Sequence, residues 1–319
     1  MHIILGTMTF SDQVDQPIAS TMVTQFREAG HCQVDTAFIY NKGKTETLLG
    51  RLNSDEILNG CEIAGKANPR GGPGLTAESV SMQLNTSLER MGKTSLDLFY
   101  LHSPDLDTPI ADTLLAVQNL FEAGKFKRFG LSNYAAWQVA EIVELCHQND
   151  WVKPTVYQGM YNALTRDVER ELLPCLNNYD IQFYAYNPLA GGILTGKHLS
   201  VEEPPAIGRF ATFEGYRDRY WKPDYFNVIS NFVQSCKKFD IQPAVAALRW
   251  LIHHSDIAEA PGDSEHAVEH GIILGASSLN HFEQNLDACS AGPLPESLIT
   301  TINNGWEEVR PACIKYFRP

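Results

Sequence analysis

Short apolar runs alternate with longer amphipathic segments along most of the chain. The apolar runs predict eight β-strands: HIILGT, QVDTAF, CEIAGK, LDLFYLH, FKRFGLS, PTVYQGMY, IQFYAYN and GIILGAS. Between them, the apolar spacing predicts helices in IASTMVTQFREAG, SVSMQLNTSLERMG, IADTLLAVQNLFEAG and AAWQVAEIVELCHQN. Three of these helices are predicted to stop at a glycine, at Gly30, Gly92 and Gly124.

The spacing of the strands predicts how they are arranged. The first seven begin about every 30 residues, which is the repeat expected of successive βα units. Eight such units predict an α/β protein with a parallel (β/α)8 TIM barrel, as one domain over residues 1–319. A doubly wound sheet is the alternative, but no strand is followed by the Gly-x-Gly-x-x-Gly turn typical of such nucleotide-binding sheets.

The repeat is interrupted between the seventh and eighth strands. This region is predicted to contain a long loop over residues 191–224 and two helices, around FNVISNFVQSCKKF and PAVAALRWLIHH. Long loops in compact domains often serve as lids or binding segments. A second insert, residues 259–270, precedes the last strand and is therefore predicted to be a solvated acidic loop on the opposite, N-terminal face of the barrel.

Composition narrows the function classes. Hydrophobic residues make up 44% of the chain, enough for a substantial core. Lys+Arg 25 against Asp+Glu 38 gives a formal net charge of -13. General binding to nucleic acid or to an anionic membrane requires a basic face, so we expect neither kind of partner. One or two local arginines are still sufficient to hold a single anionic metabolite.

The cysteines and the N-terminus bear on the cellular compartment. The seven cysteines are odd in number and contain no Cys-x-x-Cys pair, so reduced thiols are expected rather than a disulfide framework or a zinc cluster. The start MHIILGTMTF carries no basic leader or cleavage site, and no apolar stretch is long enough to span a membrane. A cytoplasmic protein is the expectation.

Four polar side chains fall where predicted strands end, which is where catalytic groups lie in a parallel barrel. Asp35 and Tyr40 accompany the second strand, Lys66 ends the third and His102 ends the fourth. Taken singly, Lys66 is more often a surface lysine, His102 a core histidine and Tyr40 a packing residue. Together, the four are predicted to converge on one barrel mouth.

Their chemistry suits protonation of an oxygen that is gaining negative charge. Tyrosine is a poor acid at neutral pH, and a neighbouring lysine is expected to lower the pKa of Tyr40. Asp35 is expected to pair with Lys66, because a buried carboxylate is costly without a partner. Neutral His102 is suited to orient a carbonyl group.

Six motifs taken in order resemble the aldo-keto reductases over essentially the whole chain. They are VDTAFIY, AGKANP, DLFYLHSPD, FGLSN, VYQGMYN and NPLAGGILTGK. Within that superfamily the sequence is most similar to the aflatoxin-aldehyde reductase branch, which includes succinic semialdehyde reductases. The resemblance implies a (β/α)8 barrel that binds NADP(H). It also implies that Tyr40 is the general acid, that Lys66 and Asp35 tune it, and that His102 orients the substrate carbonyl.

The resemblance also assigns residues to the cofactor. Ser132, Asn133 and Gln158 match positions that bind the nicotinamide carboxamide, and Tyr186 matches a ring that stacks on the nicotinamide. The segment NPLAGGILTGK, residues 187–197, resembles the one that folds over the pyrophosphate. The remaining residues expected to bind NADP(H) are Asn187, Leu189, Gly191, Lys197, Arg209, Gly275, Ser277, Gln284 and Asn285.

One position near the adenosine phosphate departs from the family pattern. Arg209 matches a residue that contacts the 2′-phosphate. His281 stands where many members carry arginine and where this branch often has glutamine. A neutral histidine contributes less to phosphate binding than arginine does, so the preference for NADPH is expected to depend mainly on Arg209.

Two more arginines bear on the substrate, which is expected to be a small-molecule carbonyl compound. By resemblance, Arg219 and Arg318 hold a substrate carboxylate, and guanidinium groups suit that role. Arg318 lies one residue from the end of the sequence, where side chains are ordinarily disordered. The neighbouring aromatic residues Tyr316 and Phe317 favour a docked tail that closes the pocket.

The leading hypothesis is an NADPH-dependent aldehyde reductase that accepts carboxylated semialdehydes and possesses no metal. One alternative is a cofactor-binding regulatory subunit resembling the potassium-channel β subunits, with little turnover. A second is a structural, lens-type protein recruited from the same fold. The family branch further suggests a homodimer.

Overall fold

Eight parallel strands pair in sequence order and close into one barrel, with β1 next to β8. The computed structural model describes residues 1–206, 208–212, 214–258 and 268–318. The strands are β1 (His2–Gly6), β2 (Gln33–Asp35), β3 (Glu62–Ala67), β4 (Leu96–Leu101), β5 (Phe126–Ser132), β6 (Pro154–Met160), β7 (Gln182–Tyr186) and β8 (Gly271–Gly275). The predicted (β/α)8 barrel is confirmed.

Helices follow the strands and cover the outside of the barrel. The helices of the described residues are α1 (Gln16–Glu28), α2 (Lys44–Ser54), α3 (Ala77–Met91), α4 (Ile110–Glu122), α5 (Ala136–Gln148), α6 (Leu172–Asn178), α7 (Arg209–Thr212), α8 (Glu214–Tyr220), α9 (Pro223–Lys238), α10 (Pro243–His253), α11 (Leu279–Cys289) and α12 (Glu296–Val309). Each of the first six links one strand to the next, and α7 to α10 lie between β7 and β8.

The strands read as nearly continuous apolar runs because both of their faces are buried. In β1, Ile3 and Leu5 belong to the large core cluster of buried apolar residues, whereas Ile4 belongs to a smaller one. Alternate residues therefore pack against different neighbours, as the two-residue period of a strand requires.

The ends of the helices follow local sequence signals. Asp15 begins α1 by accepting a hydrogen bond from the backbone N–H of Ile18 at 3.1 Å. The three glycines predicted to stop helices, at positions 30, 92 and 124, all have positive φ angles, of 86°, 61° and 68°. That conformation costs a residue with a Cβ atom free energy, so the predicted stops are confirmed at the expected places.

The second strand is shorter than predicted. It ends at Asp35, although the backbone N–H groups of Thr36 and Phe38 still donate to β3, to the carbonyls of Ala64 and Lys66 at 2.9 Å and 3.2 Å. The chain then leaves the sheet, and the predicted strand end, Phe38, belongs to the loop that carries Tyr40.

The segment predicted as a long loop after β7 is partly helical. A 3₁₀ helix covers Ala190–Thr195, and α7 and α8 lie within the predicted loop. Aromatic packing explains the compactness, since the ring of Trp221 lies 5.1 Å from that of Phe210 and 4.9 Å from that of Phe226. A loop of this length with no secondary structure is therefore the wrong description.

The insert at 259–270 lies mostly outside the described residues, which resume at 268. Glu269 forms an ion pair with the N-terminal amine at 2.5 Å, and the carbonyl of His270 accepts from the N–H of His2 at 2.8 Å. Both contacts lie where β1 begins, on the N-terminal face of the barrel, as predicted for this end of the insert.

Two other features concern the chain as a whole. All seven cysteines are free thiols. Within the described ranges, no helix has both the length and the apolar character needed to cross a lipid bilayer.

Candidate active site

Polar side chains gather at the carboxyl ends of the barrel strands. Asp35 is the last residue of β2, Lys66 lies near the end of β3, His102 follows β4, and Gln158 lies in β6. Because parallel strands all end on the same face, four positions far apart in sequence reach one barrel mouth.

Asp35 and Lys66 form the buried centre of this site. Lys66 Nζ donates to Asp35 Oδ2 at 2.6 Å and to the backbone carbonyl of Thr36 at 2.6 Å. Gln158 Nε2 donates to the other carboxylate oxygen of Asp35 at 2.8 Å. Burial lowers the pKa of Lys66, and the Asp35 carboxylate opposes that shift. The sequence-based pairing of Asp35 with Lys66 is thus present in the structure, and the carboxylate is stabilised by two donors.

Tyr40 lies beside this ion pair. Its ring centroid is 5.2 Å from Lys66 Nζ and 6.0 Å from the His102 ring, which stands nearly perpendicular to it. Burial and, after it, the Asp35 carboxylate raise the pKa of Tyr40 well above its ordinary value. The lowered pKa expected from the sequence is therefore wrong for the protein alone, because burial disfavours the phenolate and Lys66 is already paired.

His102 is held as a neutral imidazole. Burial, followed by the charges of Lys66 and Arg318, lowers its pKa well below the ordinary value. Its backbone N–H donates to Ala67 O at 2.8 Å. Among the described residues, His102 Nδ1 is buried and has no hydrogen-bond partner. A neutral imidazole carries one N–H donor, which is suited to a hydrogen bond with a bound oxygen.

The turn that carries Tyr40 is fixed by unusual backbone geometry. Asn41, Lys42 and Gly43 follow it with φ angles of 47°, 56° and 85°. Asn41 Nδ2 donates to the carbonyls of Met8 and Phe10 at 3.1 Å and 2.7 Å, which ties the turn to the loop after β1. Asparagine tolerates this left-handed conformation, so the turn holds Tyr40 in place.

A second ion pair supports the same turn and was not anticipated from the sequence. Arg90 in α3 binds Glu46 at 2.9 Å and the carbonyl of Phe38 at 3.3 Å. The Glu46 side chain is completely buried and also accepts from Ser87 Oγ at 2.6 Å. Gly43 has a φ of 85°, which favours glycine, and a Cβ atom there would also lie 2.5 Å from the Arg90 guanidinium and displace it.

Three of the four residues predicted to bind the nicotinamide, Ser132, Asn133 and Tyr186, form one hydrogen-bonded group, whereas Gln158 donates to Asp35. Asn133, with a φ of 65°, donates from Nδ2 to His102 O at 2.8 Å and to Ser132 Oγ at 2.9 Å. Its Oδ1 accepts from the Tyr186 hydroxyl at 2.7 Å. Both N–H groups of this amide and one lone pair of its oxygen are therefore used within the protein, which leaves the second lone pair of the oxygen for a ligand.

The C-terminal tail is docked against this group, as predicted. The backbone N–H of Arg318 donates to Asn133 O at 3.0 Å. Tyr316 anchors the tail, since its hydroxyl donates to Glu171 Oε1 at 2.5 Å and accepts from Ala136 N at 3.0 Å. Burial raises the pKa of Tyr186, and the charges of Arg219 and Arg318 oppose that shift.

The loop after β7 brings two predicted arginines onto one aromatic ring. The guanidinium carbons of Arg209 and Arg219 each lie 5.1 Å from the centroid of the Tyr216 ring. Tyr216 was not singled out from the sequence. Its position between the two arginines in RFATFEGYRDRY was the available signal.

The glycine segment 187–197 forms tight turns. Gly191 and Gly192 have φ angles of 72° and 102°. Their N–H groups donate within the segment, to Asn187 Oδ1 at 2.6 Å and to Leu189 O at 2.8 Å. The backbone N–H groups of Gly191 and Gly192 are therefore already engaged within the segment. The Asn187 side chain is itself held by the Tyr220 hydroxyl, at 2.8 Å.

A third group assembles at the start of α11. His281 lies between Lys197 and Ser277, with Nε2 3.3 Å from Lys197 Nζ and Nδ1 3.3 Å from Ser277 Oγ. Gly275 and Gln284 are exposed nearby in the chain, whereas Asn285 is buried. His281 therefore links Lys197 and Ser277, two residues predicted to bind the cofactor. Arg209, which was predicted to contact the 2′-phosphate, lies on the Tyr216 ring and not in this group.

These residues fit an anionic dinucleotide. The backbones of Gly192 and Gly275 border open space. A Cβ atom added at either glycine would have no atom of the described residues within 4 Å, its chain neighbours excepted. The exposed Lys197 and Ser277 stand at the N-terminus of α11, where the helix dipole favours phosphate. Tyr186 is half-buried at the barrel mouth and offers an aromatic face.

Comparisons with known proteins agree with this architecture. The family described as "Aldo/keto reductase family" matches residues 2–307. Human "Aflatoxin B1 aldehyde reductase member 2" is 46% identical, covering 99% of this chain and 89% of that protein. Human "Aldo-keto reductase family 7 member A3" is 44% identical, covering 99% and 96%. "Aldo-keto reductase pigE" of Monascus ruber is 35% identical, covering 93% and 89%.

Proposed function

The chain belongs to the aldo/keto reductase family, and from that premise we propose that it is an NADPH-dependent aldehyde reductase with Tyr40 as the general acid. The observation that carries the proposal is the buried Asp35–Lys66 pair beside the Tyr40 ring, with the His102 imidazole next to that ring. Relatives named as aflatoxin B1 aldehyde reductases support an aldehyde as the substrate class.

The reacting carbonyl would lie between the Tyr40 hydroxyl and His102. NADPH, when bound, supplies a hydride to a carbonyl carbon. The raised pKa of Tyr40 keeps its proton in place until the carbonyl oxygen gains negative charge. Neutral His102 donates a hydrogen bond to that oxygen, and Lys66 adds positive charge close to the developing phenolate.

Residues around the mouth would hold the cofactor. Ser132, Asn133 and Gln158 would bind the carboxamide, with Tyr186 against the nicotinamide ring. The segment 187–197, with Leu189, Gly191 and Lys197, would cover the pyrophosphate. Gly275, Ser277, Gln284 and Asn285 would hold the adenosine phosphate, and Arg209 would favour NADPH over NADH.

Carboxylated semialdehydes are the proposed substrate class, alongside bulkier dicarbonyls and aromatic aldehydes. The backbone of Arg318 is hydrogen-bonded to Asn133, which also accepts from the Tyr186 hydroxyl, and Arg219 lies on the Tyr216 ring. Burial raises the pKa of Tyr186, and the charges of Arg219 and Arg318 oppose that shift. Two cations beside the reacting centre suit a carboxylate on the substrate. Docking of the tail through Tyr316 supports the participation of Arg318.

The test is reduction of succinic semialdehyde and of 4-nitrobenzaldehyde, followed by loss of NADPH absorbance. Wild type should turn over both, and Tyr40→Phe should lose about 10²- to 10⁴-fold in kcat while NADPH still binds. A wild type no faster than Tyr40→Phe on a broad aldehyde panel would leave only the regulatory-subunit or structural alternatives.

We also propose a cytoplasmic location and a homodimer. Light scattering coupled to size-exclusion chromatography measures the oligomeric state directly, and a mass of one chain would refute the homodimer. Cell fractionation tests the cytoplasmic location.

A further inference from the structure

We propose that Tyr216 is a positioning residue that holds the Arg209 and Arg219 guanidinium groups on one ring, so that a single side chain sets selectivity for both the phosphorylated cofactor and the carboxylated substrate. The inference rests on the proposed function, because it assigns these two anions to the two arginines.

The geometry places both cations on the ring. Each guanidinium carbon lies 5.1 Å from the Tyr216 centroid, within the distance at which a cation is attracted to an aromatic face. Arg209 and Arg219 are half-buried, which strengthens the attraction relative to a fully exposed pair. The two guanidinium carbons are therefore at most about 10 Å apart. This is about one Debye length, so salt does not fully screen one cation from an anion bound by the other.

The ring itself is fixed by its surroundings. It packs on the backbone of Gly191, where a Cβ atom would lie 2.7 Å from Tyr216 Cδ1. The Phe210 ring stands perpendicular to it at 6.4 Å. A ring held on a glycine and a phenylalanine is a rigid platform, so the arginines that rest on it lose fewer conformations when they bind an anion.

Both arginines remain available to anions. Among the side chains that the structure describes, no carboxylate forms an ion pair with Arg209 or Arg219. An aromatic ring positions a guanidinium group without neutralising its charge, unlike an aspartate or glutamate. The arrangement therefore suits residues that must be held in place and still bind phosphate or carboxylate.

The proposal predicts that two selectivities change together. Tyr216→Leu should raise the KM for succinic semialdehyde and the Kd for NADPH by about 3- to 30-fold each, the factor expected for a lost cation–aromatic contact. The preference for succinic semialdehyde over 4-nitrobenzaldehyde and the preference for NADPH over NADH should therefore both fall by about that factor, because neither 4-nitrobenzaldehyde nor NADH carries the relevant anion. Tyr216→Phe keeps the ring and should behave as wild type in both selectivities.

A matched control separates positioning from packing. Phe226→Leu removes a ring that packs on Trp221 in the same aromatic cluster, and it leaves Gly191 and Phe210, which hold the Tyr216 ring, in place. It should lower the melting temperature without changing either selectivity. If Tyr216→Leu is poorly folded, Tyr216→Met offers similar volume without an aromatic face and gives the same test.

The decisive measurement is a double-mutant cycle. Arg209→Ala should weaken NADPH binding less in the Tyr216→Leu background than in wild type, and Arg219→Ala should do likewise for the KM of succinic semialdehyde. The inference would be overturned by additive effects in the cycle or by a change in only one of the two selectivities. It would also be overturned if Tyr216→Phe behaved like Tyr216→Leu. NADPH binding is followed by quenching of protein fluorescence, so this arm requires no turnover. An enzyme inactive on every aldehyde would instead defeat the proposed function.

Discussion

Lys66 Nζ lies 2.6 Å from Asp35 Oδ2, and the two side chains are 0% and 4% exposed. The pair is retained in a barrel interior because each charge has further hydrogen-bond partners, the Thr36 carbonyl for the lysine and Gln158 for the aspartate. Such a pair stabilises the fold only while both charges are present.

Removal of one partner of this pair should destabilise the protein severely. Lys66→Met leaves Asp35 buried without its cation, which costs about 3 to 5 kcal/mol in the free energy of unfolding. Urea denaturation measures the loss. Lys127→Met breaks the exposed Lys127–Asp97 pair and should cost far less, because solvent screens the attraction between exposed charges. Equal losses in the two variants would contradict the buried-pair argument.

Acidification should destabilise the barrel partly through His270. Its Nδ1 accepts a hydrogen bond from Phe183 N at 3.0 Å, which requires a neutral ring. Burial, helped by the N-terminal amine, lowers the pKa of His270 to about 4. An unfolded histidine takes up a proton near pH 6.5, so stability is complete above about pH 6.5 and declines as the pH falls toward 4.

In the variant His270→Gln, the free energy of unfolding should therefore depend less on pH. Between about pH 6.5 and pH 4 it should fall by on the order of 3 kcal/mol less than in wild type. Denaturant titrations at pH 7, 6, 5 and 4 measure it. His147→Gln, at the exposed end of α5, should keep the wild-type slope. An unchanged slope in His270→Gln would refute the assignment.

Loss of Arg318 should affect carboxylated substrates selectively. Arg318→Ala is expected to raise the KM for succinic semialdehyde by about 10-fold or more, the worth of a hydrogen bond to a charged group, with little change for 4-nitrobenzaldehyde. Arg310→Ala removes an exposed arginine paired with Glu307 and should change neither value. Equal increases for both aldehydes would exclude a carboxylate contact by Arg318.

Substitutions at Arg209 and at His281 should shift cofactor preference in opposite directions. Arg209→Ala should lower the ratio of kcat/KM for NADPH over NADH by about 10-fold or more. His281→Arg should raise that ratio, because a permanent charge beside Lys197 and Ser277 binds phosphate better than a neutral imidazole. An Arg209→Ala enzyme with the wild-type ratio would remove Arg209 from the 2′-phosphate site.

Much of the architecture could be predicted from local pattern. The eight apolar runs recur at the spacing of βα units, and this periodicity is sufficient to predict the number and order of the strands. The order places Asp35, Lys66 and His102 at strand ends on one face, because parallel strands share a direction. The boundaries were less certain, as the early end of β2 at Asp35 illustrates.

The helical content after β7 was missed for a different reason. Residues 191–224 carry no clear period, so the pattern favoured a loop. In the structure, Phe210, Trp221 and Phe226 pack together, and this tertiary contact holds the chain in α7 and α8.

By itself, the sequence determined the barrel, its strand order and the convergence of Asp35, Lys66 and His102, since each follows from periodicity and direction. Only the tertiary structure decided that Gln158 donates to Asp35, that Arg90 and Glu46 support the Tyr40 turn, and that Tyr216 carries two arginines. These contacts join residues far apart in sequence or depend on side-chain conformation. Barrel closure and packing determine which distant residues meet and which conformations their side chains adopt. The local sequence pattern contains no information about these two properties.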